Sequence, residues 1–132
     1  MRKAMSKSKV ETLKTILAMV FADGKVTENE TRLMEFLIDS YGLTPAEEAE
    51  VRQQKDAQLD FENLAQVVTE EAERCRAYET AFLVSLIDGS PQPAESEMLV
   101  ALRQALEIKD KDRTALEDRA REIYKRFAAS HS

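Results

Sequence analysis

The sequence predicts an all-α protein, a tandem-duplicated helical bundle of about seven helices, and three observations carry that prediction. Helix-forming Ala, Leu, Glu, Lys, Arg and Gln dominate, and only three Gly and three Pro interrupt them. Apolar residues recur at steps of three and four, and no stretch shows the strict alternation of a half-buried strand. The segment Ala22-Asp23-Gly24-Lys25-Val26-Thr27-Glu28-Asn29-Glu30 returns 65 residues later as Ile87-Asp88-Gly89-Ser90-Pro91-Gln92-Pro93-Ala94-Glu95. The same shift places Leu17 on Phe82, Leu37 on Leu102, Leu43 on Ile108 and Val51 on Leu116. The expected organisation is one domain over residues 1–132, with copy one at about 8–57 and copy two at about 69–127.

Taken in order, Val10, Leu13, Ile16, Leu17, Val20 and Phe21 form one stripe of a first helix that ends near Asp23-Gly24. Thr27 and Glu30 have capping-box spacing and open a second helix, whose inner face is expected to hold Leu33, Met34, Phe36, Leu37 and Tyr41. Gly42 is placed to end it in the left-handed conformation. Thr44-Pro45-Ala46-Glu47 is a strong start signal, because Pro at the first helical position forfeits no intrahelical bond and Glu47 completes the box. That third helix is expected to run to about Ala57. A short connecting helix follows over Asp60 to Val68, and Thr69-Glu70-Glu71 opens a longer one carrying Tyr78, Phe82, Leu83, Leu86 and Ile87. Pro91 and Pro93 prevent its continuation, and Pro93 can occupy the first turn of the next helix, lined by Met98, Leu99, Leu102 and Leu106. The last helix is expected from about Asp110 to Phe127 on Leu116, Ile123, Tyr124 and Phe127, with Ala128 to Ser132 frayed.

Composition narrows the function classes. With 43% hydrophobic and 33% charged residues in 132, the chain can bury a core unaided. Its single cysteine, Cys75, excludes an intrachain disulfide framework and a multi-cysteine zinc site, and suits a reducing cytoplasm. The basic start gives way at Val10-Glu11-Thr12-Leu13-Lys14 before any apolar run develops, so it does not read as a secretory signal. Residues 15–97 carry eighteen acidic and six basic groups, which repel a phosphate backbone. Nucleic acid is therefore not an expected partner.

Candidate chemistry rests on carboxylates. Asp23, Glu28 and Glu30, with Asp88, Glu95 and Glu97, would supply hard oxygen ligands at the two related turns, and calcium or magnesium would match them best. The spacing is not that of an EF-hand, since the third, fifth and twelfth positions from Asp23 are Lys25, Thr27 and Met34. The same residues also have a purely architectural reading in which Asp23 accepts turn amides, Gly24 takes a positive φ and Glu30 caps a helix. His131 is the lone histidine and lies in the tail, so no triad or imidazole-based metal site is expected. Gly-rich phosphate loops, nucleophile elbows and His-Glu-x-x-His strings are absent, and no enzyme and no resident cofactor are expected.

A helix ending in Ala22-Asp23-Gly24, the branched Val26 two positions on, and Glu30 opening a second amphipathic helix resemble the TerB-like family, named for tellurite resistance. Asp88, Gly89 and Glu95 repeat the motif, with Pro91 in place of Val26, Ser90 in place of Lys25 and Pro93 in place of Glu28. The resemblance implies an all-helical domain built from two helix–turn–helix copies, and metal binding has been suggested for the family through such acidic residues. Related domains occur beside a J-domain in a membrane-attached co-chaperone. The expected function is thus a non-enzymatic, cytoplasmic interaction module with a protein partner, in a stress-response or envelope-associated assembly, with peripheral membrane association allowed. A divalent-metal-binding or sensing protein of a tellurite or metal-stress response is the alternative.

Overall fold

The computed structural model describes residues 2–21, 28–53, 61–86 and 93–130, with the side chains of 2–7, 20, 21, 29, 93–95 and 130 left outside that description. Among the described residues there are seven α-helices and no strand: α1 Arg2–Phe21, α2 Glu28–Tyr41, α3 Pro45–Arg52, α4 Phe61–Val67, α5 Glu71–Ser85, α6 Pro93–Ala105 and α7 Asp110–Ser130. The all-helical expectation holds. The chain divides into two compact units, Met1–Thr69 and Glu70–Ser132.

In the first unit α1 is the central element, packed against α2, α3 and α4. Its expected stripe is buried at Val10, Leu13, Ile16 and Leu17, and burial extends to Thr12, Ala18 and Met19. In the second unit α5 plays the same part, with α7 packed along it and α6 beside it. Every residue from Ala77 to Ser85 is buried, Tyr78 and Leu83 almost completely. Removing such a side chain costs its transfer energy and leaves a cavity, on the order of 2–5 kcal/mol for Leu to Ala.

The 65-residue repeat is visible in the backbone. α2 and α6 begin at Glu28 and Pro93, and α3 and α7 at Pro45 and Asp110, each pair separated by that shift. Gly42, at φ 63°, and Glu107, at φ 55°, are equivalent positions and both are left-handed. They end α2 and α6 in the same way, and at α6 the Ile108 amide reaches back to the Arg103 carbonyl at 3.0 Å to satisfy an orphaned acceptor. Thr15 and Thr80 are equivalent as well. Each hydroxyl donates to the carbonyl four residues earlier at 2.8 Å.

The cap expected at Thr44 is present. The Glu47 amide donates to Thr44 Oγ1 at 3.2 Å, the Thr44 amide donates to Glu47 Oε1 at 2.8 Å, and Pro45 follows at the first helical position. The expected cap at Thr27 and the turns at Gly24 and Gly89 lie outside the described residues.

Three local expectations are corrected. Phe36 is exposed, because the buried arc of α2 runs through Leu33, Leu37, Tyr41, Met34 and Ile38, and Phe36 falls about 60° beyond its Leu33 edge. The helix α3 ends at Arg52 within the described residues, where the Gln53 amide bonds to the Ala49 carbonyl. α7 continues through Ala128 and Ala129 to Ser130, since the buried Phe127 anchors the turn from which they extend.

Two substitutions test these helix ends. Thr44→Ala removes the cap and is expected to cost about 1 kcal/mol in urea unfolding. A Cβ on Gly42 would meet no atom within 4 Å, so Gly42→Ala isolates the backbone term and is expected to cost on the order of 1–2 kcal/mol. A midpoint unchanged by either substitution would remove the corresponding role.

Candidate functional site

The two carboxylates at the start of α2 point in different directions. Residues two apart on an α-helix are rotated about 160° from one another by the shorter arc. Glu30 therefore falls in the middle of the apolar arc, in line with Leu33, Leu37 and Tyr41, and is only 7% exposed. Glu28 lies on the outside, where its Oε1 accepts from Arg32 Nη2 at 2.7 Å. Asp23 and Asp88 lie outside the described residues, as does the side chain of Glu95, and Glu97 is exposed.

Calcium and magnesium are held by several converging oxygens. Among the described residues no group of three or more His, Cys, Asp or Glu side chains is arranged to hold a metal ion. Glu28 could offer one carboxylate to a cation, in competition with the Arg32 guanidinium that already occupies it.

The more developed polar arrangement lies in the second unit, where sequence reasoning did not look. The Tyr78 hydroxyl donates to Glu117 Oε2 at 2.7 Å, Arg113 Nε donates to the same oxygen at 2.9 Å, and Arg103 Nη1 donates to the Tyr78 hydroxyl at 3.4 Å. One phenol thus joins α5, α6 and α7. Burial, together with the hydrogen bond to Glu117, pushes the Tyr78 pKa up. Burial pushes Glu117 up too, but the hydrogen bonds from Tyr78 and Arg113 outweigh it and hold that carboxyl below its ordinary value. Next to Tyr78, Glu79 is 8% exposed and meets Arg119 Nε at 3.4 Å. Its pKa is raised, chiefly by burial, against the attraction of Arg119 and Arg76. The signal available in the sequence was a Tyr-Glu pair inside the mainly apolar run from Ala77 to Ile87.

On the same helix, burial raises the Cys75 thiol pKa, and the negative charges of Asp112, Glu71 and Glu79 push it in the same direction. That opposes thiolate formation. His131 lies outside the described residues.

Glu79 sets a pH dependence whose sign can be worked out. A carboxyl with a raised folded-state pKa binds its proton more readily in the native protein than in the unfolded chain. Its stabilising contribution is full below the unfolded pKa and is lost as the pH rises through the folded one. Glu79→Gln is accordingly expected to equal or exceed the wild type in stability at neutral pH, and to flatten the decline between mildly acid and neutral conditions. Glu117 acts oppositely, its contribution being present above the unfolded pKa and lost as the pH falls through the folded one. Thermal unfolding of both proteins across a pH series separates the two effects.

Among curated proteins and among solved structures nothing matches the chain. A protein family does match. The residues that align, 9–118, take in α2 to α6, most of α1 and the start of α7. The match covers well over half of the sequence, and the chain belongs to the family described as Tellurite resistance protein TerB.

Proposed function

We propose that this TerB-family chain is a non-enzymatic interaction module of the cytoplasm, serving a stress-response or envelope-associated assembly, and that it takes a protein partner with a cationic surface. The observation that supports this reading is the charge on α2 and α3. Residues 28–52 hold seven carboxylates, all but the buried Glu30 outside the core, and two guanidiniums, both already engaged. Arg32 is paired with Glu28, while Arg52 makes a bidentate contact with Glu35 at 2.7 and 2.6 Å and a further one with Glu48 at 2.8 Å. Phe36, 37% exposed, stands on the same helix as Asp39 and Glu35. An acidic surface with an aromatic on it attracts a basic partner at long range and offers it apolar area at contact.

The test uses the purified chain as bait. A partner retained by the wild type and released by Asp39→Lys with Phe36→Ala, at unchanged melting temperature, supports the docking surface. Retention undiminished by that variant overturns it. The second reading, a divalent-metal-binding or sensing protein, is motivated by Asp23, Glu28 and Glu30 and by Asp88 and Glu95, which repeat Asp23 and Glu30. Calorimetry with calcium, magnesium and manganese separates the two, since that reading expects heat of binding that Asp23→Asn weakens more than Asp88→Asn. No heat from any of the three ions removes the metal reading and leaves the interaction module in place.

A further inference from the structure

A duplicated chain has a problem that a unique one lacks. Under the 65-residue shift Val51 of α3 falls on Leu116 of α7 and both are buried, so in its first turns each third helix presents the same kind of apolar anchor, although α7 continues to the buried Ala120 and Phe127. Misassembly between similar units is a characteristic failure of repeat proteins.

The polar side chains at these seams differ in a systematic way. Under the 65-residue shift, Glu11 and Lys14 of α1 fall on Arg76 and Glu79 of α5, and Glu48 and Arg52 of α3 fall on Arg113 and Glu117 of α7. Signs are exchanged at all four positions. The pairs survive the exchange. Arg52 meets Glu48 at 2.8 Å and Arg113 meets Glu117 at 2.9 Å. Between helices, Lys14 of α1 meets Glu50 of α3 at 3.0 Å, whereas Glu79 of α5 meets Arg119 of α7 at 3.4 Å.

We propose that this exchange of sign holds each third helix to its own copy and opposes docking of α7 on α1 or of α3 on α5, whether within one chain or between two. With α7 on α1, Lys14 loses Glu50 and faces Arg119, while Glu117 takes the place of Arg52 and meets the Glu35 carboxylate of α2. With α3 on α5, the buried Glu79 faces Glu50 in place of Arg119. The Tyr78 hydroxyl, whose acceptor is Glu117, then faces the Arg52 guanidinium, which has no lone pair to offer. Exposed ion pairs stabilise the correct arrangement only modestly. Their weight lies in the wrong arrangements, where like charges meet and buried groups lose their partners. A misdocked contact between chains would give closed dimers where the exchange is reciprocal and larger species where it is not.

The experiment gives copy one the signs of copy two at the four exchanged positions while keeping the ion pairs of residues 14 and 52. In the full-length chain, Glu11→Arg, Lys14→Glu, Glu48→Arg and Arg52→Glu give copy one the signs of Arg76, Glu79, Arg113 and Glu117, and Glu35→Arg and Glu50→Arg, whose equivalents Val100 and Ala115 are uncharged, restore the partners of positions 52 and 14; all six sites are surface or half-buried. Wild type and variant are unfolded in denaturant and refolded over a range of chain concentrations. Size-exclusion chromatography with light scattering then gives the share of larger species, and refolding kinetics give the share of slow phases. The variant is expected to at least double one of these shares, the larger species increasing with concentration. Distributions and kinetics equal to those of the wild type overturn the proposal. Should the variant not refold at all, the wild type decides alone: refolding in 1 M sodium chloride, where the screening length falls to about 3 Å, is expected to reproduce the increase, and an unchanged distribution overturns it.

Discussion

The structure depends on the burial of one long stretch of the first helix of each copy, residues 8–19 of α1 and 77–85 of α5. A surface helix needs only one apolar stripe, but α1 and α5 are buried around much of their circumference, so their few polar groups must find partners among the helices that cover them. In α1 the polar side chains are answered locally or by α3, through the Thr15 back-bond and the Lys14 pair with Glu50. In α5 they are answered by α6 and α7, through the shared phenol of Tyr78 and the contact of Glu79 with Arg119. Helix ends and surface charges are arranged around that requirement. The Arg121 guanidinium, 5.1 Å from the centre of the Phe82 ring, adds a cation–π contact that draws α7 further onto α5.

Much of this was legible in the sequence, for reasons that can be stated residue by residue. The repeat was readable because a 65-residue shift preserved apolar character where identity had been lost, and the backbone kept the same helix starts. Thr44 could be read as a cap because its partner Glu47 is local, three residues away, so no tertiary information was needed. Phe36 was misplaced because a stripe read by steps of three and four includes residues on either edge of an arc, and only the neighbouring helices decide which edge is covered. The side chains that join α5 to α7 were not legible, since nothing local indicates that Tyr78 and Glu117, 39 residues apart, will share a hydrogen bond.

The candidate site was legible only as a composition. Recurrent acidic residues beside Asp-Gly turns marked where to look, but the direction of each carboxylate depends on helix phase. Glu30 shares the phase of the apolar arc and Glu28 does not, which a count of acidic residues conceals. Family membership narrows the comparison to TerB proteins and leaves the chemistry to be decided by those directions. The charge on α2 and α3 is of a different kind. It belongs to a surface rather than to a few atoms, so its influence is long-ranged and tolerant of small displacements, as suits encounter between macromolecules.

The state of Cys75 has a practical consequence. A half-buried thiol with an elevated pKa, surrounded by carboxylates, holds little thiolate at neutral pH, and thiolate is the form that reacts with alkylating reagents, peroxides and soft electrophiles. The chain can therefore be handled without a strong reductant, and a maleimide probe would label it slowly until α5 was loosened. The rate of that labelling reports on the carboxylates around the start of α5, read from a residue that needs no substitution to serve as the reporter.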